Sequence, residues 1–343
     1  MFSQIEEKYH VIYPDNENAT YDSLLNYSTE GKNPFQRWYR YKEGFSVQFI
    51  EQVVKEYRTS EHDILLDPFA GSGTTLVAAN KMGYKGIGFE VNPFSFFLMK
   101  TKIQEYTNKE IGDFKYLYQK ILDELQIDLL EEYRLPLLSI SGKVFQPEAE
   151  KYMMSCKSKI NIIREGKVKD LLKLGWLASI EELSDYRKAG NGLKRRKTVK
   201  PIIIGKKEVI ERLTRQYEYM YNDLVSLDST NHFENKIINA SSLSFSNSVK
   251  ENSVDGIIFS PPYANCFDYT EIYKLELWFG DFVKSYKDLK KLRSQSLRSH
   301  LNVTYDKNIL NSEKSELLND ILSRVAKVDL WDKRIPYMLL GYF

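Results

Sequence analysis

Two segments of the chain carry residue types and spacings that could do chemistry. The first is Asp67-Pro68-Phe69-Ala70-Gly71-Ser72-Gly73-Thr74-Thr75, and the second is Ser260-Pro261-Pro262-Tyr263. Each follows a strongly apolar run, Ile64-Leu65-Leu66 in one case and Gly256-Ile257-Ile258-Phe259 in the other. Each therefore reads as the loop at the carboxyl end of a buried strand, the edge where open α/β sheets bind ligands. Gly71 and Gly73 permit close backbone approach, and a helix starting near Thr74 would offer its N-terminal N–H groups. The Gly-Lys-Ser/Thr ending of a phosphate loop is missing, as is the full Gly-x-Gly-x-x-Gly dinucleotide pattern. Glu90 lies about 20 residues on, at the end of the next strand, where a carboxylate can accept hydrogen bonds from ribose hydroxyls. The ligand implied contains adenosine and needs no pyrophosphate.

The second segment suits a flat base. Its prolines fix the backbone and remove N–H donors, so the carbonyls of Ser260 and Pro261 can act as uncontested acceptors. An exocyclic amino group donates two hydrogen bonds. Accepting both would draw its nitrogen towards a tetrahedral geometry and free its lone pair for attack. Tyr263 can stack on the base, worth roughly 1–3 kcal/mol, and the base must leave a duplex to arrive there. Cys266 follows soon after but lacks the Pro-Cys context of a nucleophile for cytosine carbon 5, and reads as a small buried residue. Asn265 and Asp268 read equally as pocket-lining or surface-loop residues.

The elements that must position these loops are legible around them. Apolar spacing predicts a helix over Ser46–Tyr57, with Phe45, Phe49, Ile50, Val53 and Val54 on one face. A strand over Asp63–Asp67 precedes the glycine loop, and a helix from Thr74 to Met82 ends at Gly83. A strand over Lys85–Glu90 leads to a helix beginning near Pro93. This β-α-β-α unit starts a doubly wound α/β sheet. We divide the chain into an irregular arm (1–33), a cofactor-binding part (34–104), a helical insertion (105–232) and a part carrying the second loop (233–343). The insertion shows helical stripes, Phe114 to Leu125 and Val209 to Leu227. Between them lies a basic loop with a Gly-Asn-Gly turn and no acid: Arg187, Lys188, Lys194, Arg195, Arg196 and Lys197. This loop and the cluster Lys284, Lys287, Lys290, Lys291, Arg293 and Arg298 are candidate phosphate contacts. Strands are expected over Lys236–Asn239 and Val254–Phe259, and polar helices from Thr270 onward.

Composition sets bounds. The 343 residues are 42% hydrophobic and 28% charged, with net charge +2, as in a globular protein. Two cysteines and four scattered histidines suit neither a disulfide framework nor a metal site. The N-terminus lacks the pattern of a secretion signal, no run is long enough to span a membrane, and a cytoplasmic location is expected.

At these residues the chain resembles the DNA amino-methyltransferases that use S-adenosyl-L-methionine. Asp67 to Thr75 is similar to their motif I, Phe89-Glu90-Val91-Asn92-Pro93 to motif II and Ser260 to Tyr263 to motif IV; Phe45-Ser46 sits where motif X would be. The resemblance implies a Rossmann-like doubly wound sheet with a large helical insertion in the position of a target-recognition segment. It implies that Phe69, Ala70, Gly71, Gly73, Thr74 and Asn92 face the cofactor, with Asp67 near its methionine amino group and Glu90 on its ribose. Ser260, Pro261, Pro262 and Tyr263 would hold the target base, and the methyl group would pass directly to the amine with no metal. Ser-Pro-Pro-Tyr is associated in this family with N4 of cytosine more than N6 of adenine. A site-specific enzyme of a restriction-modification or related defence system follows, with DNA as partner. An RNA guanine-N2 methyltransferase and an inactive or split DNA-binding subunit are the competing readings. The family's sheet has seven strands in the order 3-2-1-4-5-7-6, and this chain supplies candidates for strands 1 to 4 only. A truncated chain, or a second polypeptide completing the sheet, is therefore expected.

Overall fold

The computed structural model describes residues 30–42, 44–57, 64–127, 134–190, 192–196, 203–226, 235–302 and 315–343. The expected N-terminal arm lies almost wholly outside these residues, as do Asp63, Leu227 and Lys197.

In chain order, helix α1 (Val47–Tyr57) leads to strand β1 (Ile64–Asp67), helix α2 (Thr74–Lys81), strand β2 (Lys85–Phe89) and helix α3 (Pro93–Ile103). The sequence marks these ends clearly. Ser46 accepts a hydrogen bond from the Phe49 N–H at the start of α1. Gly83, at φ +77°, turns the chain after α2. Asn92 caps α3 through the N–H groups of Phe94 and Ser95, with Pro93 in the first turn. Helices α4 (Asn108–Asp123), α5 (Pro147–Asn161) and α6 (Lys167–Leu183) follow, then a hairpin of β3 (Tyr186–Ala189) and β4 (Gly192–Arg195), and α7 (Lys206–Ser226). The basic loop expected at 187–197 is thus largely a two-stranded antiparallel hairpin. The chain returns through β5 (Asn235–Ile238) and β6 (Gly256–Ile257), then α8 (Tyr269–Ile272), α9 (Lys274–Phe279), α10 (Tyr286–Gln295), α11 (Glu316–Val325) and α12 (Ile335–Tyr342).

Four strands form a parallel sheet in the order β5-β2-β1-β6. The chain moves outward from β1 through β2 to β5, then crosses back to place β6 on the other side of β1. The crevice above the carboxyl ends of β1 and β6 is therefore a switch point, the place where such sheets hold ligands. Gly86 and Gly88 let α2 lie close on β2: a Cβ at either would come within 3.0 Å of the Leu76 side chain. Leu65 joins Val47, Ile50, Val54 and Ala78 in one apolar cluster, while Leu76 joins Met99 and Ile103 in another.

The helices of 105–232 do not sit apart. Phe114, Trp176, Leu213 and Tyr217 share one continuous core with Phe94 and Leu98 of α3 and with Leu277 and Trp278 of α9. The region after Thr270 is also less polar than its sequence suggests, because Tyr273, Leu275, Leu277, Trp278 and Phe279 of the α8–α9 segment are all buried in that core. The expected strand Val254–Phe259 shortens to two residues. Ile257 and Phe259 are about half exposed, at 58% and 46%, and β6 pairs only with β1 among the described residues. No described helix is long and apolar enough to cross a membrane.

Candidate active site

β1 delivers Asp67 to the base of the glycine loop. Its carboxylate is fully buried and accepts hydrogen bonds from the Phe69 N–H (2.9 Å) and the Thr75 hydroxyl (2.6 Å). Burial pushes its pKa up to about 6 against those two bonds. Asp67 supports the loop from beneath and is not part of the cavity wall.

The loop is closed largely by its own backbone. The Ala70 N–H donates to the Phe89 carbonyl, the Gly71 N–H to Glu90 Oε2 and the Gly73 N–H to the Ala70 carbonyl. The donors that a glycine loop could aim at a ligand are thus engaged within the protein at 69, 70, 71 and 73. To a ligand the loop therefore offers shape and surface rather than these four N–H groups. Gly71 and Gly73 hold φ values of +52° and +81°. A Cβ at Gly73 would lie 2.8 Å from Met99 Cγ, and one at Gly71 would lie 3.1 Å from the Tyr41 ring.

Glu90 follows β2 and faces the same cavity. Its Oε1 accepts the Asn92 N–H at 2.7 Å and its Oε2 the Gly71 N–H at 2.9 Å. Each oxygen keeps a further lone pair. Burial, against those hydrogen bonds, pushes its pKa up to about 8.

β6 delivers the second loop to that cavity. Phe69, Ala70, Gly71, Thr74, Glu90 and Asn92 line one side, and Ser260 and Pro262 the other. The Phe69 and Phe259 rings meet at 5.8 Å and join the two loops. Gly73, Pro261 and Tyr263 lie outside the lining. Tyr263 is 48% exposed at the rim, with its hydroxyl 3.2 Å from Ser260 Oγ. The Pro262 carbonyl accepts a hydrogen bond from Tyr342 at 2.7 Å. The Cys266 thiol donates to the Met338 sulfur and its pKa is raised by burial, which does not favour a nucleophilic thiolate.

Several cavity residues carried little or no sequence signal. Tyr41 lines it from a segment before α1. Asp268, an open choice from sequence, lines it too and is buried. Its carboxylate accepts from Arg293 Nε at 3.0 Å, Asn302 Nδ2 at 2.8 Å and the Thr270 hydroxyl at 2.6 Å. Burial opposes its ionisation, but His300, Asn302, Thr270 and Arg293 together hold its pKa below the ordinary value. His300 lines the cavity as well, and burial lowers its pKa against the pull of Asp268. Lys102, buried on α3, donates to the Ser72 carbonyl and to Gln36 Oε1, each at 2.9 Å. It ties the glycine loop to the core.

The expected phosphate contacts lie elsewhere. Arg187, Lys194 and Arg195 are exposed on the hairpin, with Arg195 paired to Asp185. Lys188 is enclosed by Glu181 and Glu276, which neutralise it. Arg196 donates to the Ser184 and Glu181 carbonyls. In the second cluster Arg293 turns inward to Asp268 and Glu271, and is a structural residue.

Comparison with known proteins bears on the family of the chain. Residues 6–100 match the N6/N4 methyltransferase family model, described as DNA methylase. The chain is 28% identical to the Type II methyltransferase M.BsoBI of Geobacillus stearothermophilus, over 99% of this chain and 75% of that protein. These matches support a DNA amino-methyltransferase. The Type II methyltransferase M.AvaI of Nostoc is 29% identical over 93% of this chain and 71% of its own length. For M.MvaI of Kocuria varians the figures are 24%, 90% and 70%. No solved structure matches. The expected second polypeptide finds no support in these comparisons.

Proposed function

We propose that the chain is a site-specific DNA methyltransferase that moves a methyl group from S-adenosyl-L-methionine to the exocyclic amino group of a flipped base, N4 of cytosine in preference to N6 of adenine. The observation that carries this reading is the single cavity shared by Glu90, Phe69 and Gly71 on one side and by Ser260 and Pro262 on the other.

The residues present fit the cofactor. A partly accessible carboxylate with open lone pairs suits ribose hydroxyls, and Phe69, Ala70 and Val91 offer apolar surface to an adenosine and a thioether chain. A loop whose N–H groups are mostly engaged suits a ligand without a pyrophosphate. When bound, the cofactor supplies an electrophilic methyl group on a sulfonium.

The chain's own residues position and polarise. Tyr342 takes the Pro262 carbonyl, and of the two acceptor carbonyls expected from sequence Ser260 belongs to the cavity lining while Pro261 lies beside it. Tyr263, on the rim, can stack on the incoming base, worth roughly 1–3 kcal/mol. Asp268 and Arg293 brace the wall opposite the glycine loop. Catalysis on this reading rests on proximity and on the polarised amine. The similarity to Type II methyltransferases supports a place in a restriction-modification system.

The test is incubation of the chain with methyl-labelled cofactor and duplex DNA, followed by nucleoside analysis. N4-methylcytosine is expected. N6-methyladenine would overturn the base preference, and label in RNA guanine alone would overturn DNA as substrate.

A further inference from the structure

A second cleft lies beside the active-site cavity, and Tyr41 is part of the wall of both. Its cationic side chains come from three separate places in the sequence. Arg37, Arg40 and Lys42 come from the segment before α1, Lys188 and Arg196 from the hairpin, and Arg212 and Arg215 from α7. Against these seven cations the lining holds two carboxylates, Glu181 and Glu182. Asp223 and Glu276 reach the wall from behind, pairing with Arg37 and Lys188, so positive charge still exceeds negative by three.

Gathered cations repel one another, and an anion in the cleft would relieve that repulsion. Arg212 and Arg215 both pair with Glu182. The Arg212 guanidinium is held below its ordinary pKa by burial, with Arg215 adding to the effect and Glu182 opposing it. The Arg40 side chain is 84% exposed and reaches Glu181 only at 3.8 Å. Arg37 lies over the Tyr219 ring at 4.9 Å, with its guanidinium oriented by a forked pair to Asp223. Planar, oriented guanidinium groups suit phosphate oxygens, which accept them in a forked pair.

We propose that this cleft, rather than the outward face of the hairpin, grips the sugar–phosphate backbone of the substrate DNA next to the flipped base. The proposal rests on the methyltransferase reading and adds where the nucleic acid is held. Arg40 and Arg215 make phosphate contacts, Arg37 and Arg196 flank them, and Lys188 stays a wall residue because two carboxylates neutralise it. The shared Tyr41 wall, which packs on Gly71, puts this grip beside the cofactor side of the same cavity, so the strand carrying the target base is held within reach of the site while the base is displaced.

The test uses the full chain and sheared duplex DNA, whose sequence-independent binding needs no knowledge of the recognition site. The double variant Arg40→Ala/Arg215→Ala is compared with Lys194→Ala/Arg195→Ala, with folding checked by circular dichroism and cofactor affinity measured without DNA. Both cleft residues are half or more exposed, so folding and cofactor affinity should be unchanged. The slope of log affinity against log salt should become shallower by about 2 in the cleft variant, and by less than half that in the hairpin variant. An unchanged slope in the cleft variant, or a larger change in the hairpin variant, would overturn the proposal. So would duplex RNA binding with the same affinity and slope as DNA. Loss of the cleft effect with methyl transfer intact would sink the cleft alone, whereas failure of the unaltered chain to methylate any DNA base would sink the methyltransferase reading.

Discussion

The two loops leave neighbouring strands and face one cavity, yet they are built differently. The Asp67–Thr75 loop stands on a buried carboxylate, and its neighbours close around it: Tyr41 against Gly71, Met99 against Gly73 and Lys102 on the Ser72 carbonyl. The Ser260–Tyr263 loop follows a two-residue strand, beside the exposed Ile257 and Phe259. Its supports are the Tyr342 bond to Pro262, the contact of Phe259 with Phe69 and its own Ser260–Tyr263 contact. The two sides divide the labour. The cofactor side is fixed by the core before any ligand arrives, while the base side is left adjustable, as a site that must receive an extruded base requires.

The comparison breaks most severely at Gly73. Gly73→Val forces a β-branched residue into a positive φ and towards Met99 Cγ. The expected result is a loss of at least about 2 kcal/mol in a denaturant melt, with cofactor binding abolished. At Tyr263 the opposite pattern is expected. Tyr263→Ala should leave the melt and cofactor affinity unchanged while methyl transfer to DNA falls about 10- to 100-fold, the equivalent of one lost stacking contact. A drop in cofactor affinity would show that the two sides are not separable.

Glu90 sharpens the cofactor side through pH. Its pKa in the folded chain is raised to about 8 from an ordinary 4.5. A carboxyl with a raised pKa contributes stability that is complete below the unfolded value and is lost as pH rises through the folded one. Asp67 acts in the same direction but lower, up to about 6. Between pH 6.5 and 8.5 Glu90 therefore dominates. Stability measured by urea melts should fall more across that window in the unaltered chain than in Glu90→Gln, and parallel curves would refute the assignment. The smallest effect is expected at Tyr342→Phe, which removes one hydrogen bond to Pro262. It should cost about 1 kcal/mol or less, with a modest loss of methyl transfer and none of cofactor affinity.

The sheet and both loops were legible because local signals mark them: short apolar runs, Gly71, Gly73 and Gly83, Pro93, and the paired prolines. The helix ends that flank the glycine loop fell within a residue or two for the same reason. The far wall of the cavity was not legible. Asp268 was an open choice, Arg293 was expected at phosphate and His300 carried no signal; the packing of α8 and α10 brings Asp268 and His300 to the cavity, with Arg293 bonded behind Asp268. The basic hairpin misled in the other direction. A run of charge in sequence does not reveal that Lys188 turns inward between two carboxylates, nor that the cations of the cleft gather from segments far apart. Val254–Phe259 reads as a buried strand because its residues are apolar, but with β1 as its sole described neighbour it holds only two residues of ladder.

Equilibrium dialysis of labelled S-adenosyl-L-methionine against the chain, with and without duplex DNA, tests the division of labour most directly. A cofactor side already fixed by Asp67, Lys102 and Glu90 predicts one equivalent bound per chain in the absence of DNA, with affinity shifted by DNA no more than a fewfold. Binding that begins only when DNA is added would contradict it.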